Sequence, residues 1–233
     1  MCTVSFIPLD GKIILTSNRD EDINRPALVP KQFNKNGIIL IYPEDPKAKG
    51  TWIAIEDQHK FVCLLNGAAN KHQHQPPYRQ SRGKVVTDYF GYKNVNEFVA
   101  NYNLKNIEPF TLIIFDDGLF EFRWDGNQKH YKVLDEQIPH IYSSSTLYTP
   151  EIVAKREQWF KKFLKEAELT ESNILNFHKF AGDGNSRTDL RMVLEGKTYK
   201  VQTTSVTQII KTKDSIQLSY HDLIEDNVAE LGF

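Results

Sequence analysis

The chain has 233 residues, 40% of them hydrophobic and 25% charged, with a formal net charge of −1. A chain of that length and composition buries a substantial core without a disulfide or metal staple. The near-zero charge gives no electrostatic reason to expect nucleic acid or an acidic membrane as a partner.

From the N-terminus, Thr3 to Leu9 is apolar and β-branched, Asp10-Gly11 is a hairpin signal, and Lys12 to Ser17 resumes the strand pattern. The leading apolar run is broken by Pro8, Asp10 and Gly11, so no secretory signal is expected. No apolar run approaches bilayer length, which predicts a soluble, cytoplasmic protein without stable membrane insertion. Thr51 to Glu56 and His59 to Asn66 predict a second hairpin around Asp57-Gln58. The stretch 71–84 is basic and rich in His, Gln and Pro, which reads as a loop. Ser81 to Phe98 is helical in pattern, with a break near Gly91 and Asn94. Thr111 to Phe115 and Leu119 to Trp124 flank a third turn signal, Asp116-Asp117-Gly118. Thr149 as N-cap and Pro150 at the first position open a helix to about Glu168, with Trp159, Phe160 and Phe163 on its apolar face. A shorter helix is predicted over Thr170 to Phe180. After the loop Gly182 to Ser186, Thr188 to Leu194 and Thr198 to Ser205 predict a fourth hairpin, and Ser215 to Tyr220 a last strand. Strands, then helices, then strands, without βαβ alternation, favour antiparallel sheet layers with helices outside. No repeat or linker divides the chain, so one domain is expected over 1–233.

The chemistry starts at Met1-Cys2. Removal of Met1 before a small residue leaves a thiol and a free α-amine on one residue. Their ordinary pKa values, about 8.5 and about 7.7–8.0, let the amine serve as base for the thiol. The bland alternative is a small strand residue, which is also the reading for Cys63. The two cysteines lack metal-site spacing and are expected as reduced thiols. Asn18-Arg19-Asp20-Glu21 follows on the neighbouring strand. Asp20 could accept a hydrogen bond from the N-terminal ammonium or thiol while Arg19 favours the thiolate. Equally, the tetrapeptide could be a polar strand end, with Glu21 pairing Arg25. His72 and His74, spaced i, i+2, have no third ligand nearby in sequence. The loop Gly182-Asp183-Gly184-Asn185 lacks the strand–glycine–helix context of a nucleotide site. No cofactor or metal is called for.

Met1-Cys2-Thr3, a hairpin and Asn18-Arg19-Asp20-Glu21 together resemble the NRDE family, which includes the transport-and-Golgi-organisation protein 2 group. Further matches follow in order: Asn24-Arg25-Pro26, Gly50-Thr51-Trp52, Leu65-Asn66, Ser81-Arg82-Gly83 and Ser186-Arg187-Thr188. That family is in turn similar to the cysteine N-terminal-nucleophile hydrolases, among them bile salt hydrolases, penicillin V acylases and acyl-CoA-dependent acyltransferases. The resemblance implies an α+β fold, a four-layer αββα sandwich. It implies Cys2 as nucleophile, Asp20 as the contact of the nucleophile's amine, Asn66 as an oxyanion donor and Arg187 as an arginine near the nucleophile. Arg19 matches less closely, because the corresponding arginine of the hydrolases lies a few residues before the aspartate. Where those hydrolases carry an asparagine ahead of the middle helix, this chain has Ser144, within Tyr142-Ser143-Ser144-Ser145-Thr146. Loss of one oxyanion donor can slow acyl transfer by about 10²–10³.

Two functional readings follow. In the first, Cys2 attacks the carbonyl of a linear amide or thioester in a small-molecule acyl substrate. In the second, the same scaffold is a non-catalytic binding or trafficking protein for acyl-CoA, lipid or haem. The last is conceivable because a cysteine thiolate can be an axial ligand.

Overall fold

The computed structural model describes residues 2–57, 59–196 and 200–233. Strand β1 (Cys2–Leu9) turns at Asp10-Gly11, both at positive φ, into β2 (Lys12–Asp22). An Asp-Gly pair adopts that hairpin turn readily. β2 runs further than its sequence pattern suggests. Asn18, Arg19 and Asp20 lie inside it rather than at its end, because β12 (Lys200–Lys211) pairs along nearly its whole length. In register, Cys2 is opposite Arg19 and Thr3 opposite Asn18.

The first sheet has the order β10 (His140–Ser143), β1, β2, β12, β13 (Ile216–Asp222), β14 (Asn227–Gly232), with β11 (Val193–Glu195) also on β12. The second is a meander of β3 (Leu28–Lys35), β4 (Ile38–Glu44), β5 (Ile53–Glu56), β6 (Phe61–Asn66), β7 (Phe110–Phe115), β8 (Leu119–Trp124) and β9 (Lys129–Leu134). The strand expected over 188–194 shrinks to β11. Thr188 and Asp189 instead turn back to bond the Asn185 carbonyl. Thr198, the expected start of its partner, and Gln58 lie outside the described residues. Strands β3, β9 and β14 escaped the sequence pattern for a physical reason: they are sheet edges, exposed at most positions, so no alternation marks them.

Among the described residues, four helices cover the two outer faces. α1 (Arg82–Tyr89) and α2 (Val95–Asn101) pack on the second sheet, where Phe98 meets Phe122 edge-on at 5.6 Å. α3 (Pro150–Glu166) and α4 (Glu171–Phe180) pack on the first, burying Phe160, Ile174 and Phe177 against Ile7 and Ile14. The Thr149 hydroxyl accepts from the Ile152 N–H, so the cap and Pro150 start α3 where the sequence places them. Between the sheets, Phe6, Leu15, Ile209 and Leu218 join the core of the second sheet. The result is an α+β, four-layer αββα sandwich. Among the described residues, no helix is long and apolar enough to cross a membrane.

The pleat then sorts β2 into two faces. Ile14, Thr16, Asn18 and Asp20 look toward the helices, whereas Leu15, Ser17 and Arg19 look toward the second sheet. On both faces the sequence passes from apolar to polar toward the Cys2 end. All of these residues are buried, so each polar group there needs a partner.

Candidate active site

On the helix face Asp20 is completely buried. The Thr203 hydroxyl donates to its Oδ1 at 2.6 Å, and the Tyr148 hydroxyl donates to its Oδ2. Burial pushes the Asp20 pKa above the usual carboxylate range, opposed first by the Arg156 charge and then by these two hydrogen bonds. Arg156, on α3, is itself completely buried and makes no ion pair among the described residues. Its guanidinium lies 3.8 Å from the centre of the Tyr148 ring. It donates to the Thr3 hydroxyl, to the Asp189 carbonyl at 2.6 Å and to the Thr188 carbonyl at 3.1 Å. The strand that begins at Cys2 is therefore pinned at its second residue by a cation that also compensates Asp20.

Beside this group, Asn18 donates through Nδ2 to the His178 and Leu190 carbonyls, at 2.9 and 3.2 Å. Its Oδ1 is then the acceptor for His178 Nδ1–H, which leaves Nε2 to accept the Ser5 hydroxyl at 2.7 Å. Burial, with a smaller contribution from Arg156, lowers the His178 pKa to about 3, so the imidazole is neutral at ordinary pH.

A β-bulge in β12 lies opposite Arg19 and Asp20, where the register shifts between Thr203 and Ser205. The extra residue, Thr204, gives its hydroxyl proton to the Arg19 carbonyl at 3.2 Å and accepts from Arg19 Nη1 at 3.0 Å. Thr203 is thereby kept for Asp20, which is the re-aiming that bulges provide near functional sites. The Arg19 guanidinium lies 4.9 Å from the centre of the Trp52 ring.

Arg19 opens onto a cavity of about 360 Å³. Motif fragments far apart in sequence meet around it: Arg19 and Glu21, Arg25, Gly50-Thr51-Trp52, Asn66 and Ser81-Arg82-Gly83. Asp45 bridges Arg25 at 2.8 Å and Arg19 at 3.6 Å. Glu108 takes Arg82 at 3.1 Å on one oxygen and both His72 and His74 on the other. Burial alone would raise Glu108, but Arg82 and the two imidazoles outweigh it and hold its pKa below the usual range. Gly50 and Gly83 are in backbone contact: a Cβ on Gly50 would lie 2.5 Å from the Gly83 carbonyl carbon. This explains why glycines stand in both fragments, since only they let α1 start against the 45–50 turn.

Ser144 follows directly after β10, whose Ser143 pairs with Thr3. Its hydroxyl donates to the Asn66 carbonyl at 2.7 Å and lies 3.1 Å from the Thr146 hydroxyl. In this arrangement the one proton of Ser144, expected as a counterpart of an oxyanion donor, is given to the backbone of β6. Ser144 and Tyr148 also line a second cavity, of about 610 Å³, with Leu65, Ile141, Leu147 and Val153 among its walls.

The fold therefore gathers the backbone of Cys2 with Arg19, Asp20, Asn66 and Ser144 at one end of the sandwich. It does not bring Arg187 there. That residue is exposed in the 182–189 loop, outside both cavities, and the buried arginine beside Asp20 is Arg156. Sequence reasoning missed Arg156, Tyr148 and Thr203. A signal existed for Arg156: at i+3 from Val153 and i−4 from Phe160 it falls on the apolar stripe of α3, an unusual place for a cation. Nothing comparable marks Tyr148 or Thr203.

A conjugated bile acid hydrolase variant from Clostridium perfringens superposes with a TM-score of 0.59 over 99% of this chain and 92% of that one, at 9% sequence identity. The Caenorhabditis elegans ortholog of N-acylethanolamine-hydrolyzing acid amidase gives 0.59 over 89% and 92%, at 13% identity. These likenesses establish the fold. In sequence, the Transport and Golgi organization 2 homolog of Mus musculus is 34% identical over 80 residues, which is 34% of this chain and 28% of that protein. The family model for Transport and Golgi organisation 2 matches residues 1–220. The chain belongs to the Transport and Golgi organisation 2 family.

Proposed function

We propose that the chain, one domain over 1–233, is a cysteine N-terminal-nucleophile amidohydrolase or acyltransferase acting on a linear amide or thioester after Met1 is removed. The observation that carries this reading is the placement of Asp20. It is completely buried and held by Thr203 and Tyr148, one residue along from Arg19, the register partner of Cys2. Burying a carboxylate is unfavourable unless it is compensated, and the compensation here comes from three residues distant in sequence from Asp20: Tyr148, Arg156 and Thr203. In the proposed reaction the Cys2 thiolate forms a C–S bond to the carbonyl carbon, and the thiol proton passes to the α-amine. Asn66 donates to the oxyanion, as Asp20 orients the ammonium and Arg19 favours the thiolate. Collapse breaks the C–N or C–S bond of the substrate, and the leaving group takes the proton. Water or an acceptor amine then releases the acyl group. Arg156 supplies the cation near the nucleophile that the resemblance assigned to Arg187.

One observation favours a second reading, a non-catalytic protein that binds acyl-CoA, lipid or haem. With the Ser144 proton given to Asn66, one oxyanion donor is missing, a loss worth about 10²–10³ in rate. Intact-mass spectrometry before and after exposure to acyl thioesters and N-acyl amides separates the two. The enzyme loses Met1 and gains an acyl adduct that Cys2→Ala does not form. A chain that keeps Met1, or that never acylates, is the binding protein.

A further inference from the structure

The cavity beside Arg19 is lined by hydrogen-bond donors that no described residue engages. Trp52, which lines it, is only 6% exposed, and among the described residues its indole N–H has no acceptor. Arg25 carries a buried Nε–H in the same condition. A donor buried without an acceptor is destabilising, so its persistence calls for a reason. α1 opens on the same cavity. Ser81 occupies its N-cap position but sends its hydroxyl to the Ala48 carbonyl, at 3.2 Å, and makes no side-chain cap. The positive end of the helix is left facing the cavity wall formed by Ser81, Arg82 and Gly83.

The acids around the cavity are, by contrast, already engaged. Asp45 accepts from Arg25 and from the N–H groups of Lys47 and Ala48. Glu108 accepts from Arg82, His72 and His74, and Glu21 from Arg25 and the Asp22 N–H. What is left over is donor capacity, and it calls for acceptor oxygens.

We propose that this cavity is a binding site for an anionic oxygen group, a carboxylate, sulfonate or phosphate, carried by the ligand. Its oxygens take the Trp52 indole N–H, the Arg25 Nε–H and the first N–H groups of α1, beside the Arg82 guanidinium. Asn66 lines the same cavity. If the enzyme reading holds, the anionic group belongs to the substrate whose carbonyl Asn66 would serve, and only that clause rests on the enzyme reading.

The test is a titration of isotope-labelled Cys2→Ala protein with acetate, methanesulfonate and inorganic phosphate, following the indole N–H resonances. Trp124 and Trp159 are internal controls, because Trp124 already bonds the Ile107 carbonyl and Trp159 lies on α3. The expected result is a saturable downfield shift of Trp52 alone. The anion that saturates at the lowest concentration identifies the head group. Arg82→Gln should weaken that binding about tenfold or more. Should Arg82→Gln not fold, Arg25→Lys, which keeps the charge and removes Nε–H, serves the same purpose at a half-exposed position. Absence of a Trp52 shift with all three anions, an equal unsaturable drift of all three indoles, or unchanged binding in the folded variant overturns the proposal. Exposing the Cys2 protein to N-acyl glycine and N-acyl ethanolamine separates this result from the enzyme question. Anion binding without acylation keeps the site and discards the enzyme, and acylation without anion binding does the reverse.

Discussion

Ser144 has one proton, and the 2.7 Å contact assigns it to the Asn66 carbonyl. The residue therefore acts as a clamp on the end of β6. Ser144→Ala leaves that carbonyl and the Thr146 hydroxyl without their partner, and should lower unfolding free energy by about 1–2 kcal/mol in urea. Unchanged stability would mean that water replaces the clamp. Arg156 is a stronger case, because three acceptors and the Asp20 charge depend on it. Arg156→Met should cost about 3–5 kcal/mol, because three acceptors lose their donor and the Asp20 carboxylate loses its compensating cation. Arg156→Lys, which keeps the charge but loses the planar fork, should fall between. A methionine variant as stable as the parent would show that Asp20 takes up a proton and needs no cation.

At the scale of elements, the contact between Gly50 and Gly83 locks α1 to the turn that precedes β5. A Cβ at either position meets backbone, which cannot swing aside as a side chain can. Gly50→Ala should destabilise by about 1–3 kcal/mol or more and displace the start of α1. Gly91→Ala, whose nearest obstacle is the Asp88 carbonyl at 3.4 Å, should change little. Thermal melts of the two variants check the contrast, and equal melting points would remove the lock. The same elements show what a sequence can carry. Asp10-Gly11, the Thr149-Pro150 start of α3 and the break between α1 and α2 were legible because local geometry alone decides them. The edge strands were not, since solvent on most of their positions erases the pattern. Nor was the bulge at Thr204, which exists only because β12 pairs β2 across most of the chain. The site divides the same way. Cys2 and Arg19 are joined by a local hairpin, but Asn66 and Arg156 reach them only through sheet stacking and helix packing. Their roles could be guessed from a motif, or missed, but not located.

Across the whole molecule, the polar layer under α3 and α4 holds two titratable groups whose effects on stability have opposite signs. His178 is completely buried and its pKa falls to about 3, while an unfolded chain protonates the imidazole near its ordinary value of 6.5. The unfolded state therefore binds the proton first. This contribution to stability is complete above 6.5 and is lost as pH falls toward about 3, on the order of 5 kcal/mol over the full span. Asp20 runs the other way. Its folded pKa is raised, so its contribution is complete below its ordinary 3.8 and is lost as pH rises through the folded value. Between about pH 7 and about pH 5 the imidazole should dominate, because Arg156, Thr203 and Tyr148 all oppose the rise at Asp20, whereas Arg156 reinforces the fall at His178. Urea unfolding should thus show stability declining over that interval. His178→Gln should be weaker at about pH 7.5, having lost the bonds to Ser5 and Asn18, yet flatter with pH. A parent protein whose stability holds level or rises on acidification would reverse the assignment. It would mean that the unmet cost in this layer lies at the Asp20 carboxylate, and that α3 and α4 close over a charge they only partly compensate.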